Sequence, residues 1–234
     1  MVTPHDFTRR SFIHRTLSAA GAEFAELAGA AVAVGFGRSP EEEEEQARSL
    51  ALADLSPLPR IGFKGGEVIS WLVGQGVRIG AANNVAYRQE DGALAARLTD
   101  TEALVLCDIQ VGSGLVARLD EDWSFETAGL CFPVPRRDAS FWFAVTGREA
   151  AAMLAKLCGV DLRPKRFADG SVAQTSVARM SAIVIRNDLG GTPAFYVLGD
   201  SAAADYLWGS LIDAMAEFQG RPVGLPALES LARR

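Results

Sequence analysis

The chain has 234 residues, a formal net charge of −6, 49% hydrophobic residues and 22% charged residues. This composition is typical of a globular protein, and a chain of this length buries enough surface to fold without disulfides or a structural metal. The acidic balance argues against nucleic acid as a partner, because nucleic-acid-binding proteins carry a basic surface. The longest uncharged run has 11 residues, whereas a membrane helix needs about 20, so we expect no membrane association.

The three cysteines, Cys107, Cys131 and Cys158, lie far apart and include no C-x-x-C pair. An odd, sparse set of cysteines is typical of a reducing compartment, so we expect a cytoplasmic protein. The two histidines, His5 and His14, both lie near the N-terminus. This disfavours a zinc site and leaves only His14 as the base of a nucleophilic arrangement. We therefore expect no metal site.

Hydrophobic spacing predicts the elements of the first half in chain order. Residues 8–13 resemble a twin-arginine export signal, but the stretch after them carries Glu23 and Glu26 and keeps a helical spacing. We interpret 11–27 as the first helix and expect a strand at 30–36. Ser39 and Pro40 precede five successive glutamates, which predicts a helix start with solvated acidic side chains. The next predicted elements are a strand at 60–64, a turn at 65–66, a helix at 67–73, and strands at 85–88, 94–98 and 103–109.

The second half repeats this order of elements. The predictions are a strand at 140–146, a helix at 148–157, strand material within 172–186, a strand at 195–198 and an amphipathic helix at 201–217. Each of three residues of the first half recurs 82 positions later: Gly65, Glu67 and Leu72 as Gly147, Glu149 and Leu154.

The repeat favours an α+β fold of two pseudo-repeated halves, each an antiparallel sheet with helices on one face. We expect a single domain over residues 1–220, with halves of about 1–125 and 126–220, and a C-terminal tail at 221–234.

Residues 112–117, Gly-Ser-Gly-Leu-Val-Ala, match the glycine pattern of a dinucleotide-binding turn. Such a site needs a long helix after the glycines and an acidic residue about 20 positions further on. Here acidic residues 120–122 end the helix early, and Phe132 stands where the acid is required. We interpret this motif as a glycine-rich turn.

Residues 54–65 contain the strongest candidate site. Arg60 and Lys64 lie between a proline-rich turn and a glycine-rich turn, and positions 60, 62 and 64 of a strand share one face. Two cations beside Gly62 would form a pocket floor able to hold carboxylates, such as a glutamyl tail. The alternative is that both cations face solvent and that Pro57 and Pro59 only shape the chain.

The same segment carries a family resemblance. The matching blocks are residues 10–12 (Arg-Ser-Phe), 21–24 (Gly-Ala-Glu-Phe), 53–60 (Ala-Asp-Leu-Ser-Pro-Leu-Pro-Arg), 62–65 (Gly-Phe-Lys-Gly), 158–164 (Cys-Gly-Val-Asp-Leu-Arg-Pro) with Phe167 and Gly170, 173–179 (Ala-Gln-Thr-Ser-Val-Ala-Arg) and 206–208 (Tyr-Leu-Trp). Over roughly residues 10–218 the chain resembles the gamma subunit of heterotetrameric sarcosine oxidase and its relatives, which share the folate-binding fold of the glycine-cleavage T-protein.

The resemblance implies a T-protein-like fold and a cytoplasmic role in the one-carbon metabolism of N-methyl amines. It also implies that FAD, FMN, NAD and the folate reaction site belong to larger subunits, and that this chain binds no cofactor alone. T-proteins bind pterin with a glutamate in a Tyr-x-Gly-Glu-x-Gly stretch, whereas residues 176–181 read Ser-Val-Ala-Arg-Met-Ser. Their first catalytic carboxylate has no convincing equivalent near 92–100, so we expect no catalytic residue.

The first functional hypothesis is a noncatalytic gamma-type subunit of a sarcosine-oxidase-like heterotetramer, an oxidoreductase whose larger flavoenzyme subunits are its partners. Aromatic residues are enriched at interface cores. The expected interface anchors are Trp123, Phe125, Trp142 and Trp208.

The second hypothesis is a free-standing protein that binds tetrahydrofolate or tetrahydromethanopterin, or a C1 transferase. Its candidate cofactor contacts are Arg60, Lys64, Asn84 and Arg97. The third is a domain that keeps the fold in an unrelated scaffold role.

Overall fold

The structure, a computed structural model, describes residues 2–233. Its strands are β1 (Arg9–Arg10), β2 (Glu23–Leu27), β3 (Ala30–Gly35), β4 (Ala51–Asp54), β5 (Arg60–Lys64), β6 (Val85–Arg88), β7 (Leu94–Thr99), β8 (Glu102–Leu106), β9 (Phe132–Val134), β10 (Ser140–Thr146), β11 (Val172–Val177), β12 (Met180–Arg186), β13 (Ala194–Asp200) and β14 (Arg221–Pro222). Its helices are α1 (His14–Ala19), α2 (Pro40–Ser49), α3 (Val68–Gly74), α4 (Leu115–Asp122), α5 (Arg136–Ala139), α6 (Ala150–Leu154), α7 (Ala204–Ala216) and α8 (Leu225–Ala232). The fold is α+β, as predicted.

The chain divides into two compact units. The larger unit contains the chain up to Pro57, the segment Ser140–Asp169 and the chain from Ala173 onward. The smaller unit contains Leu58–Ala139 and Gly170–Val172.

The larger unit is built on a six-stranded sheet with the order β11-β12-β13-β10-β4-β14 and a three-stranded sheet with the order β1-β3-β2. Every residue of β10 is buried, and on one face Phe141, Phe143 and Val145 form a hydrophobic core with residues of helices α6 and α7. On the helix-covered face, the ring of Phe143 lies 5.2 Å from that of Trp208 in α7. On the other face, Trp142 contacts Tyr196 edge to face at 5.3 Å.

The burial of these aromatic residues bears on the predicted interface anchors. Trp142 is 0% exposed and Trp208 is 3% exposed. The prediction that these two tryptophans anchor a partner is therefore wrong, because neither side chain is accessible to a partner.

The smaller unit is built on a five-stranded antiparallel sheet with the order β6-β7-β8-β5-β9. Helix α3 packs on the face that carries Phe63, whose ring lies 4.8 Å from that of Trp71. The β6–β7 hairpin turns at Gly92 with a φ of 86°, so the Asp-Gly turn signal in the sequence marks a real hairpin.

The two sheets repeat each other strand for strand. The order β6-β7-β8-β5-β9 in the smaller unit corresponds to β11-β12-β13-β10-β4 in the larger one. The corresponding strands β5 and β10 end at Lys64 and Thr146, and each is followed by a glycine of positive φ and a short helix, α3 or α6. The repeat that the residue spacing predicts is therefore present in the sheet order.

Each repeat places its first strand in the other repeat's sheet. Strand β4 precedes β5 in the chain but pairs with β10, and β9 precedes β10 but pairs with β5. The compact units are therefore discontinuous in sequence, whereas the expected halves, 1–125 and 126–220, are continuous stretches. Beyond residue 220, β14 pairs with β4, and α8 buries Leu225, Leu228 and Leu231.

The first predicted helix, 11–27, is wrong over most of its length. Helix α1 ends at Ala19, Gly21 adopts a φ of 84°, and β2 follows. Ala28 and Gly29, both at positive φ, turn the chain from β2 into β3. An apolar residue such as Phe24 fits the buried face of either a helix or a strand. The segment forms a strand because it pairs with β3.

The predicted start of α2 is confirmed, but one of its glutamates is not solvated. The Ser39 side chain accepts from the Glu42 N–H and the Glu42 side chain accepts from the Ser39 N–H, which forms a capping box. Glu43 is only 4% exposed, and its carboxylate accepts the N–H groups of Phe36 at 2.6 Å and Gly224 at 2.8 Å. This glutamate ties three segments of the larger unit together.

No helix within residues 2–233 is both long enough and apolar enough to span a membrane.

Candidate functional site

The four candidate binding residues all lie in the smaller unit, in or beside its sheet. Arg60 and Lys64 are the first and last residues of β5. Arg97 lies in β7, and Asn84 immediately precedes β6. Whether they act on a ligand depends on what each side chain already contacts.

Arg60 is 2% exposed and supports the backbone around it. Its guanidinium donates to the carbonyl oxygens of Leu58 at 2.9 Å and Arg137 at 3.0 Å. The charge is therefore held inside the smaller unit by main-chain acceptors. A carboxylate ligand would have to compete with these two carbonyl groups for the guanidinium.

Lys64 is more than half exposed, and Glu102 on the neighbouring strand β8 balances its charge at 3.3 Å. Glu102 also accepts from Arg136 at 2.5 Å. Strand pairing places the side chains of positions 60, 62 and 64 on one face, as expected. A Cβ at Gly62 would lie 2.9 Å from Cγ of Arg136, so Arg136 covers the predicted pocket floor.

Arg97 makes three hydrogen bonds within the smaller unit. It donates to Oδ1 of Asn83 at 2.8 Å, to the Gly80 carbonyl at 2.9 Å and to Oδ1 of Asp100 at 2.7 Å. The hydrogen bond from Arg97, followed by that from Asn83, lowers the pKa of the Asp100 carboxyl. Arg97 thus fixes the loop before β6 against the end of β7.

Asn84 contributes through its backbone. Its φ is 58°, a left-handed conformation that asparagine tolerates better than most residues. Its N–H donates to the Arg97 carbonyl at 2.8 Å, and its carbonyl accepts from the Val172 N–H at 2.9 Å. Asn84 therefore links the short 170–172 segment to the sheet.

The structure brings Asn84 and Arg97 together but separates the two ends of β5. Arg60 and Lys64 lie about 14 Å apart along the strand at 3.4 Å per residue. Arg97 pairs with Ala103, which pairs with Phe63, so Arg97 lies on the opposite face from Lys64. The four assignments remain predictions, and no single small ligand on one face of this sheet would contact all four.

The face of β5 thus fits the glutamyl tail of a pterin poorly. Arg136 covers Gly62, Glu102 balances Lys64, and Arg60 is hydrogen-bonded to carbonyl groups. Sequence reasoning missed Glu102 and Arg136, because only the strand register shows that Glu102 stands opposite Lys64.

Two open clefts lie elsewhere. A cleft of about 410 Å³ in the smaller unit is lined in part by Arg78, Glu90 and Arg118. A cleft of about 450 Å³ in the larger unit is lined in part by Arg148 and Arg221. Neither cleft includes any of the four candidate residues.

The segment that would carry the pterin-binding glutamate of a T-protein forms a tight hairpin between β11 and β12. Ala178 and Arg179 adopt φ values of 48° and 70°. Residues 176–181 contain no carboxylate. This turn of the larger unit offers no acidic acceptor for the amino group of a pterin.

Burial shifts the pKa values of two side chains that could act as a nucleophile or a base. Burial, followed by the charge of Glu67, raises the pKa of the Cys131 thiol to about 11, so the thiolate nucleophile is scarce at neutral pH. Burial lowers the pKa of His14, against a hydrogen bond with the Ser11 carbonyl that raises it. Within residues 2–233, no group of three or more His, Cys, Asp or Glu side chains is placed to hold a metal ion.

The sequence model of the family described as the GCVT N-terminal domain matches residues 13–233. The chain belongs to the GCVT N-terminal domain family. No curated protein sequence matches this GCVT N-terminal domain.

Many solved structures share its fold. The glycine cleavage system aminomethyltransferase T from Bartonella henselae aligns with a TM-score of 0.72 at 18% identity, over 95% of this chain and 61% of that one. The chain thus spans about three fifths of the aminomethyltransferase. A chain of the heterotetrameric sarcosine oxidase from Corynebacterium sp. U-96 aligns with a TM-score of 0.61 at 20% identity, over 77% of this chain and 95% of that one. These likenesses establish a T-protein-like fold, as the resemblance implied.

Proposed function

We propose that this GCVT N-terminal domain is a noncatalytic, gamma-type subunit of a sarcosine-oxidase-like flavoenzyme complex in cytoplasmic one-carbon metabolism. The observation that carries the proposal is the extent of the likeness. The fold accounts for 95% of a chain of heterotetrameric sarcosine oxidase but only 61% of the aminomethyltransferase. In the proposed complex, FAD, FMN and NAD would belong to the larger subunits.

The contacts of the candidate residues support a structural role over a catalytic one. Arg60 and Arg97 are each hydrogen-bonded within the smaller unit, and Lys64 is paired with Glu102. Hydrogen bonds and ion pairs of this kind stabilise the fold without any ligand.

The test is the purification of a tagged chain from its native host. We expect larger chains to co-purify in constant proportion, with the absorbance bands of bound flavin, and to be identified by mass spectrometry as flavoenzyme subunits. A tag-only purification is the control. Recovery of a colourless, monomeric chain that melts cooperatively would overturn the proposal.

A second candidate function is the binding of tetrahydrofolate or tetrahydromethanopterin, with or without C1 transfer. It is favoured by the likeness to an aminomethyltransferase and by the exposure of Lys64. Calorimetry with each pterin tests it. We would then expect heat of binding that Lys64→Ala abolishes without changing the melting temperature, and an absence of heat with the wild-type chain would exclude it.

A further inference from the structure

The smaller unit presents a group of large apolar side chains to solvent. Phe125 is 73% exposed, Leu130 60% and Phe132 43%. Single exposed apolar residues are normal on a protein surface, but three within eight residues form an unusual concentration. The half-buried Trp123 completes it, because its ring lies 4.7 Å from that of Phe125. We call Trp123, Phe125, Leu130 and Phe132 the apolar ridge.

The apolar ridge is held in shape by hydrogen bonds. The indole N–H of Trp123 donates to the Cys131 carbonyl at 2.7 Å. The Glu67 carboxylate accepts the Leu130 N–H at 2.6 Å, and the Glu67 N–H donates to the Leu130 carbonyl at 3.1 Å. A surface that is already ordered loses little conformational entropy on binding, so these contacts favour recognition by side chains on a rigid base.

Strand β9 forms the edge of its sheet beside the apolar ridge, but its backbone suits strand addition poorly. β9 consists of Phe132, Pro133 and Val134. The central proline has no N–H to donate to an added strand, and prolines in edge strands block edge-to-edge pairing. A partner would therefore bind the exposed side chains rather than extend the sheet.

The charged residues of the segment that carries the apolar ridge are all acidic. Residues 119–135 contain four acidic residues and no lysine or arginine: Asp120, Glu121, Asp122 and Glu126. Arg118 lies 3.6 Å from Asp122 at one side. At the other side Lys64, which pairs in register with Phe132, is balanced by Glu102. An acidic border complements a partner surface bordered by lysine and arginine.

The same charges argue against a second copy of this chain as the occupant. A two-fold dimer places the same patch of both copies face to face. The acidic border would then meet itself, and like charges across an interface cost binding free energy. The net charge of −6 acts in the same direction at longer range.

We propose that the apolar ridge is the surface by which this chain docks onto a larger flavin-bearing subunit, whose facing surface is an apolar socket bordered by basic side chains. This inference rests on the proposed function, because it identifies the contact through which the proposed complex forms. Phe125 is the central anchor, in keeping with the dominance of aromatic side chains at interface hot spots.

The experiment compares variants of the full-length chain for affinity to the purified flavin-bearing subunit. The ridge variant is Phe125→Ser with Leu130→Ser. The matched control is Val73→Ser, which removes a 54% exposed apolar side chain from helix α3 of the same unit, outside the ridge. We expect at least about thirtyfold weaker binding for the ridge variant, the loss typical of a central anchor, and an unchanged affinity for the control.

A border variant, Glu121→Lys with Glu126→Lys, keeps the apolar ridge and reverses its charges. We expect this variant to associate with the flavin-bearing subunit more slowly than the wild-type chain. Added salt should slow the association of the wild-type chain but not that of the variant. Circular dichroism confirms that each variant is folded, and Phe125→Ser alone replaces the double variant if that fails to fold.

Three results would overturn the proposal, and they are distinguishable. Wild-type affinity in the folded ridge variant would place the partner on another surface and leave the proposed function intact. A wild-type dimer in light scattering that the ridge substitutions dissociate would make a second copy the occupant. Failure of the wild-type chain to bind any flavin-bearing subunit would end both proposals.

Discussion

Gly65 and Gly147 occupy equivalent positions in the two repeats, 82 residues apart. Their φ values are 137° and 113°. A Cβ at Gly65 would lie 2.0 Å from the Leu130 carbonyl oxygen, and a Cβ at Gly147 would lie 2.3 Å from that of Ser49. In each repeat the same carbonyl accepts an N–H two residues after the glycine, at 3.1 Å. Close approach of two backbone segments therefore requires glycine at both positions.

This close approach predicts the cost of alanine at either glycine. Gly65→Ala and Gly147→Ala should each lower the free energy of unfolding by about 2–5 kcal/mol, from positive-φ strain and displacement of a backbone carbonyl. Gly66→Ala is the matched control, because a Cβ there meets nothing within 4 Å. Urea unfolding measures all three, and equal stability of Gly65→Ala and Gly66→Ala would contradict the argument.

Glu43 should contribute more to the free energy of unfolding than its neighbours in the run of glutamates. Glu43→Ala leaves the N–H groups of Phe36 and Gly224 without their acceptor, and each unsatisfied buried donor costs about 1–3 kcal/mol. Glu45→Ala, at an exposed position of the same helix, should change stability by less than about 0.5 kcal/mol. The urea midpoints of the two variants distinguish them, and similar midpoints would show that the Glu43 contacts are dispensable.

Alanine substitutions at Arg60 and Lys64 should differ in their effect on the free energy of unfolding. Arg60→Ala removes two hydrogen bonds to carbonyl groups from a buried position, so we expect a loss of about 2–4 kcal/mol. Lys64→Ala removes a half-exposed ion pair with Glu102, which is worth less than about 1 kcal/mol. Thermal or urea unfolding provides the measurement. A stable Arg60→Ala variant would reopen Arg60 as a ligand-binding residue.

Cys131 should make the protein less stable at alkaline pH. Its pKa is raised from near 9 to about 11, so between these values the unfolded chain has lost the thiol proton while the folded chain keeps it. The contribution of the Cys131 thiol to the free energy of unfolding is fully present below pH 9 and falls by about 1.4 kcal/mol for each pH unit towards pH 11.

The control for this pH dependence is Cys131→Ala, which retains every other titrating group. The free energy of unfolding, measured in urea from pH 8 to pH 11, should fall less steeply in the variant than in the wild-type chain. Parallel slopes would mean that another group causes the alkaline loss.

Elements marked by local chemistry were predictable from the sequence. The helix start at Ser39, the Asp-Gly turn at Gly92 and the strands 60–64 and 140–146 all depend on residues within a few positions of one another. The structure of residues 11–27 was not predictable from the sequence, because Phe24 is equally suited to a helix face and a strand face. Pairing of β2 with β3 decides that segment.

The candidate site was likewise predictable only where it depends on residues close together in the sequence. The sequence identified Arg60 and Lys64 and the face they share, but it did not show what else occupies that face. Glu102, 38 positions after Lys64, meets it only through the pairing of β5 with β8, and Arg136 reaches Gly62 from still further along the chain.

The sequence by itself determined the α+β class, the repeat of 82 residues and the likeness to the T-protein fold, because these depend on periodicity and on short motifs. Only the tertiary structure decided that β4 and β9 each join the sheet of the other repeat, that Glu43 is buried and that Phe125 is exposed. The physical reason is that burial and the pairing of polar groups depend on segments distant in the chain, which strand register brings into contact.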